Sequence, residues 1–257
     1  MLTERNPANR SIRREAVAAR LELKRRARSA GDFDARRYFR DAGDLGFYNV
    51  GTTTMRTLAR SIHARHRADW SVDEAMAFAD LLMPDRYLEV KAVGIEVVAR
   101  YRRAFTPPLL QRWRRWLSKN YSANWATTDA ICGLLIGPLL VQYSALAAQM
   151  PTWAGDRNMW VRRAAAVGLI PSVRVGLADD IAYDVARRLH GDEEDLIQKA
   201  VGWMLREAGK TNAKRLETYL RANGPAIPRT TVRYAIERFS PAARLALLKA
   251  TKSRQLP

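Results

Sequence analysis

The chain has 257 residues, with 44 Lys or Arg against 26 Asp or Glu, a formal net charge of +18. About 47% of the residues are apolar and 27% charged; that is globular composition, and it excludes disorder along the whole chain. The single cysteine, Cys132, excludes an intrachain disulfide and a cysteine-rich zinc site. His63, His66 and His190 leave little for a histidine metal centre, so no metal and no cofactor are expected.

The charge requires a polyanionic partner. An isoelectric point near 10.7 points to nucleic acid ahead of an anionic membrane surface. Most of the cations are arginines, whose planar fork suits phosphate. A solvated basic surface that serves solubility alone is the bland alternative.

In chain order, the first 30 residues are polar and Arg-dense, with no apolar core before a small-residue cleavage site. A cytoplasmic, nucleoid-associated protein is therefore expected. From there helical periodicity dominates, interrupted by Gly and Pro every 15–20 residues or so. Thr52, Ser71 and Asp192 are expected helix N-caps. Between Ala130 and Gly155 no residue is charged. Gly137-Pro138, Gln142 to Ser144 and Met150-Pro151 divide that stretch into pieces shorter than the roughly 20 residues a membrane span needs. A buried helical hairpin is expected instead, and no membrane partner.

The helices repeat. Aligning EVKAVGIEVV, TTDAICGLLI, VRRAAAVGLI, IQKAVGWMLR and TVRYAIERF brings Lys91, Asp129, Arg163, Lys199 and Arg233 into register at intervals of 34 to 38 residues. A recurring helical hairpin of that length predicts an all-α fold: a helical-repeat solenoid forming one domain over 1–257, its aligned positions lining a concave basic groove. Four of the five positions are basic. Asp129 is the exception; a carboxylate in a phosphate-binding row either performs chemistry or pairs with a neighbour such as Arg163.

Tryptophans flank this row. Trp125 lies one turn before Asp129, Trp160 just before Arg163, and Trp203 one turn after Lys199. Trp113, Trp116 and Trp153 are expected in the core. Trp125 and Trp203 share faces with charged residues and are expected to stack on nucleotide or attract a cation.

The segments NWATTDAI (124–131), RNMWVRRAAAV (157–167), LIQKAVGWMLREAGKTN (196–212) and RTTVRYAIERF (229–239) resemble, in order and spacing, the AlkD-type alkylpurine DNA glycosylases, which are built from HEAT-like repeats. The resemblance spans about 34–240 and leaves 1–30 as an Arg-rich extension. It implies Asp129 as the catalytic carboxylate and Trp125 and Trp203 as aromatic walls beside the lesion. It also implies Arg163 on the neighbouring phosphate, Lys199 at a basic position of the family block, and an N-terminal aromatic, here Tyr38; the aligned row adds Lys91 and Arg233, and beside it Arg162, as expected DNA contacts. Thr128 stands where the family has an apolar residue, and Arg162 is an added arginine.

The chemistry suits a lone Asp. A purine alkylated at N3 or N7 is cationic and already a good leaving group. Cleavage of its glycosidic bond puts positive charge on the sugar, which one carboxylate stabilises while it orients water. The resemblance implies cleavage within the duplex, without the base rotation other glycosylases use. It would thus admit bulky adducts, with Arg10, Arg13, Arg14, Lys24, Arg25, Arg26 and Arg28 adding grip on DNA or touching a large adduct. The expected protein is a monomer acting on double-stranded DNA that carries alkylated purines. A non-catalytic nucleic-acid scaffold is the alternative. An RNA reader fits less well, because a uniform Lys/Arg row carries no base code.

Overall fold

A computed structural model describes residues 7–31, 38–39 and 43–252, with side chains from Asn9 onward. Residues 1–6 of the Arg-rich extension and 32–37 lie outside the described residues. Among the described residues the chain is helical, with a single isolated bridge between Gly46 and Tyr87. It forms two compact units, Met1–Leu135 and Ile136–Pro257.

In the first unit, α1 (Pro7–Arg25) buries Ile12, Ala16, Ala19 and Leu23, the stripe that a 3.6-residue period places on one face. Arg20 fastens this helix by donating to Asp85 Oδ2 at 2.7 Å and to the Leu81 carbonyl at 2.6 Å. The chain enters α2 (Gly51–His66) through Gly51 at φ +74°, a left-handed conformation glycine takes without steric cost. That turn starts the helix, and Thr52 lies inside it instead of capping it. Ser71 does cap α3 (Val72–Leu82), in a full capping box with Glu74. Helix α4 (Leu88–Ala99) is buried almost all round, from Val90 to Val98, as a core helix packed on α1, α2 and α3. Helix α5 (Leu109–Ser118) buries Trp113 and Trp116 as the sequence predicts, with the Trp116 indole donating to Asp80 Oδ1 at 2.6 Å. Helix α6 (Trp125–Ile131) follows and packs on α4.

The second unit comprises α7 (Gly137–Gln142), α8 (Met150–Ala154), α9 (Met159–Val167), α10 (Ile170–Arg174), α11 (Asp179–Arg188), α12 (Asp195–Thr211), α13 (Ala213–Asn223), α14 (Arg229–Ala235) and α15 (Pro241–Ala250). Helix α12 is its hub, packed on α9, α10, α11, α13 and α14. Trp153, on α8, is buried. Pro151, Pro171 and Pro241 each occupy the first turn of a helix, where the missing N–H is not needed. Asp192 does not cap α12; its carboxylate accepts from the Glu194 N–H at 3.0 Å in the turn before the helix.

The expected break at Gly137-Pro138 is absent. Helix α6 runs into a π-helical turn, Cys132–Ile136, and then into α7. In an unbroken α-helix the Pro138 ring would collide with the Leu134 carbonyl, and the wider π turn lies at that point. The helix ends at Gln142, as expected, before a 3-10 segment, Ser144–Gln149. Trp125–Gln142 is long and apolar enough to cross a membrane by length and composition, and half of it is buried inside the fold.

Candidate functional site

The five aligned residues fall at one structural position. Lys91 is the fourth residue of α4, and Asp129, Arg163, Lys199 and Arg233 are each the fifth residue of α6, α9, α12 and α14.

In the first unit, Asn124 builds the start of α6. Its Oδ1 accepts from the Thr127 N–H at 2.8 Å, and its amide donates to the Ser122 carbonyl and the Thr127 hydroxyl. Thr127 and Thr128 face the interior, with the Thr128 hydroxyl donating to the Asn124 carbonyl at 2.9 Å. The threonine in place of an apolar residue is therefore satisfied locally. With that face turned in, Trp125 and Asp129, one turn apart, stand on the half-exposed face.

The loop before α6 is strained and pinned. Asn120 and Ala123 have φ of +57° and +51°, a region costly for residues with a Cβ. Between them, the Tyr121 carbonyl accepts from Lys91 Nζ at 2.6 Å, and the same ammonium donates to the Met83 carbonyl at 2.9 Å. Lys91 is 4% exposed. It is not an open groove cation, since its charge is consumed by two backbone carbonyls. Burial pushes its ammonium down to about 8.

Tyr38 does reach the site, by its backbone: its carbonyl accepts from the Trp125 indole N–H at 3.0 Å. The ring that stacks on Trp125 belongs to Phe39, at 5.4 Å between centroids, and Phe39 leans in turn on Phe47 at 5.3 Å. The loop after Phe47 is tied to α4, because the buried Glu89 carboxylate accepts from the N–H groups of Tyr48 and Asn49 at 3.0 and 2.7 Å. Gly46 permits this approach; a Cβ there would lie 2.8 Å from the Tyr87 ring.

In the second unit, Arg163 is also buried, 5% exposed, and donates to the Leu196 carbonyl at the start of α12. Little of it is open to a phosphate. Arg162 is likewise engaged: it pairs with Asp192 Oδ2 at 2.7 Å and donates to the carbonyls of Asp156 and Arg157. Trp160 is buried. The exposed part of the row is Lys199 and Arg233. Lys199 pairs with Asp195 at 2.6 Å, and that hydrogen bond holds its ammonium above the usual lysine value despite the nearby Arg163 charge. Arg233 is exposed, and Trp203, one turn beyond Lys199, is half-exposed. Arg206 pairs with Glu237. The close seating of α14 on α12 depends on Gly202, and the Thr231 hydroxyl donates to the Gln198 carbonyl at 3.0 Å across the same interface. Among the described residues no group of three or more His, Cys, Asp or Glu is placed to hold a metal.

The all-α repeat fold agrees with the comparisons. The family described as "DNA alkylation repair enzyme" matches residues 19–239. The chain belongs to the DNA alkylation repair enzyme family. Among solved structures, a predicted DNA alkylation repair enzyme from Enterococcus faecalis superposes with a TM-score of 0.67 at 16% identity, covering 89% of this chain and 96% of that one. The Pseudomonas fluorescens alkylpurine DNA glycosylase AlkC, bound to DNA containing an abasic site analog, superposes with a TM-score of 0.52 at 17% identity. That match covers 94% of this chain and 65% of the AlkC chain. No relative matches among curated proteins. The helical-repeat fold of this DNA alkylation repair protein is shared with these neighbours. Its family region begins inside α1, about 15 residues ahead of the start expected from the motifs.

Missing from the sequence reading are Phe39, Asn124 and Glu89. Asn124 had a readable signal, a capping residue directly before the Trp125 helix. Phe39 had only its place beside Tyr38.

Proposed function

We propose that this DNA alkylation repair protein is a monofunctional alkylpurine DNA glycosylase, acting on duplex DNA without flipping the base and without metal or cofactor. The observation that carries the reading is the half-exposed pair Trp125 and Asp129 on one face of α6. The substrate is a purine made cationic by alkylation at N3 or N7.

In the reaction, a water oxygen bonds to the sugar C1′ as the C1′–N bond breaks. The electron pair of that bond passes to the purine and cancels its positive charge, so no general acid is needed. The sugar carries positive charge at the transition state, and the Asp129 carboxylate stabilises it and orients the water. The water's proton leaves through the carboxylate to solvent. The products are the free alkylated base and an abasic sugar, and an abasic analog is what the AlkC neighbour holds. The Trp125 ring attracts the cationic nucleotide by roughly 0.5–2 kcal/mol. Lys199 and Arg233 grip phosphates in a salt-dependent way, while Lys91, Arg162 and Arg163 brace the helices that carry the site.

The test is incubation with DNA containing N7-methylguanine or N3-methyladenine, without added metal, scoring free base. Wild type is expected to release base. Asp129→Asn is expected to bind the same DNA as tightly or more tightly and to release base about 100-fold more slowly or worse. Binding without base release by the wild type would leave the scaffold reading in its place.

A further inference from the structure

The match to the family begins at residue 19, so the first three turns of α1 lie ahead of it. Those turns carry Arg10, Arg13 and Arg14, all exposed. An open cavity of about 560 Å³ lies here, lined by Arg10, Ser11, Arg14, Glu15, Ala18 and His66. Its one carboxylate is already neutralised: Glu15 Oε1 accepts from Arg65 at 2.5 Å, and its Oε2 is 2.8 Å from His66 Nε2. Burial raises the Glu15 carboxyl, but the Arg65 and His66 bonds outweigh it and hold the group below its usual value, so it stays ionised and paired. The His66 ring is fixed in turn by stacking on Trp70 at 4.1 Å. Arg10 and Arg14, one helical turn apart, have no hydrogen bond or ion pair with any of the described residues.

We propose that Arg10, Arg14 and the Ser11 hydroxyl form a second binding point for the DNA backbone, ahead of the residues matched to the family, taking one or two phosphodiesters. The proposal rests on the DNA-binding part of the function above, not on its catalytic part. Two guanidinium forks beside a hydroxyl match the oxygens of phosphates. The open shape suits a phosphate carried on a polymer, and an enclosed pocket would suit a small free anion better. A carboxylate held by Arg65 and His66 does not compete for the two arginines.

The experiment measures binding of the full chain to an undamaged duplex two helical turns long, by fluorescence anisotropy across a series of KCl concentrations. The Arg10→Ala/Arg14→Ala double variant is expected to lower the slope of log affinity against log salt by about 1–2, close to 0.9 for each phosphate no longer neutralised. Arg221→Ala, at an exposed arginine already paired with Glu217, is expected to leave the slope unchanged. Both targets are exposed, so the fold is expected to survive, and thermal melting checks it. An unchanged slope in the double variant overturns the proposal, as does an equal fall for Arg221→Ala. So does a loss confined to vesicles of anionic lipid, which would make the surface a membrane-binding one. The DNA is undamaged, so the outcome stands whether or not Asp129 proves catalytic.

Discussion

The ring of Phe39 lies nearly parallel to the indole of Trp125, with planes 11° apart and centroids at 5.4 Å. One face of Trp125 is thus occupied by protein, and its N–H is spent on the Tyr38 carbonyl. The indole is held in one orientation beside Asp129, prepared to offer its other face. Stacked aromatic pairs contribute about 0.5–1.5 kcal/mol beyond their area, so Phe39→Ala is expected to slow base release several-fold in single-turnover assays. Tyr38→Ala keeps the backbone carbonyl that holds Trp125. It is expected to cost less than Phe39→Ala; the reverse order would make the exposed Tyr38 ring the functional aromatic.

Lys91 joins stability to the site. A lysine in the unfolded chain titrates near 10.4, whereas burial holds this one at about 8. Between those values the unfolded chain keeps a proton that the folded chain has lost, so stability rises with pH across that window. Lys91→Met removes the titration and leaves the Met83 and Tyr121 carbonyls without their donor. Urea unfolding at pH 7 is expected to show the variant less stable by about 1–3 kcal/mol. From pH 8 to 10 the wild type is expected to gain stability that the variant does not. Parallel pH profiles for the two proteins would count against a buried ammonium at this position. Loss of the pin on the Tyr121 loop is also expected to slow base release at pH 7.

Lys91 also marks the limit of what the sequence shows. Hydrophobic period and repeat length are properties of side chains along the chain, so they placed all five aligned residues one turn into their helices. Depth is different. Lys91 and Arg163 are buried because backbone carbonyls at Tyr121 and Leu196, from the next repeat in each case, come within reach. Every residue carries a carbonyl, so nothing in the sequence announces which one a cation will find. Phe39 is hidden for a related reason: its partner Trp125 is distant in sequence, and nothing local marks the pair. The Pro138 reading failed because a proline signal gives the collision to be avoided and says nothing of the π turn that avoids it.

The packing of α14 on α12 depends on the absence of a side chain at Gly202. A Cβ there would lie 2.4 Å from Tyr234 Cβ and 2.8 Å from the Thr231 carbonyl oxygen. Neither atom is the far end of a flexible side chain, so the helices must separate. Gly202→Ala is expected to lower stability by about 1–3 kcal/mol, the usual cost of overpacking. It should also weaken DNA binding, because Lys199 lies on one of the two helices and Arg233 on the other. A variant as stable as wild type by urea unfolding would show that the interface yields.

His190 gives a pH dependence of the same sign as Lys91, in a more acid window and from a partly buried position. Its Nε2 lies 2.7 Å from the Tyr219 hydroxyl, and burial, helped by the Arg187 charge, holds its imidazole below the usual value. An unfolded histidine takes up a proton near 6.5, while the folded one resists until lower pH. Below about 6.5 the unfolded chain therefore binds the extra proton first, and stability falls with acidification. His190→Gln, which retains a hydrogen-bonding group for Tyr219 but does not titrate in this range, is expected to flatten that loss between pH 6.5 and 5. Thermal melts at the two ends of the interval test it: the gap in stability between wild type and variant is expected to shift in the variant's favour at the acid end. A gap independent of pH would place His190 on the protein surface in solution, with its ring free to charge as it does in the unfolded chain.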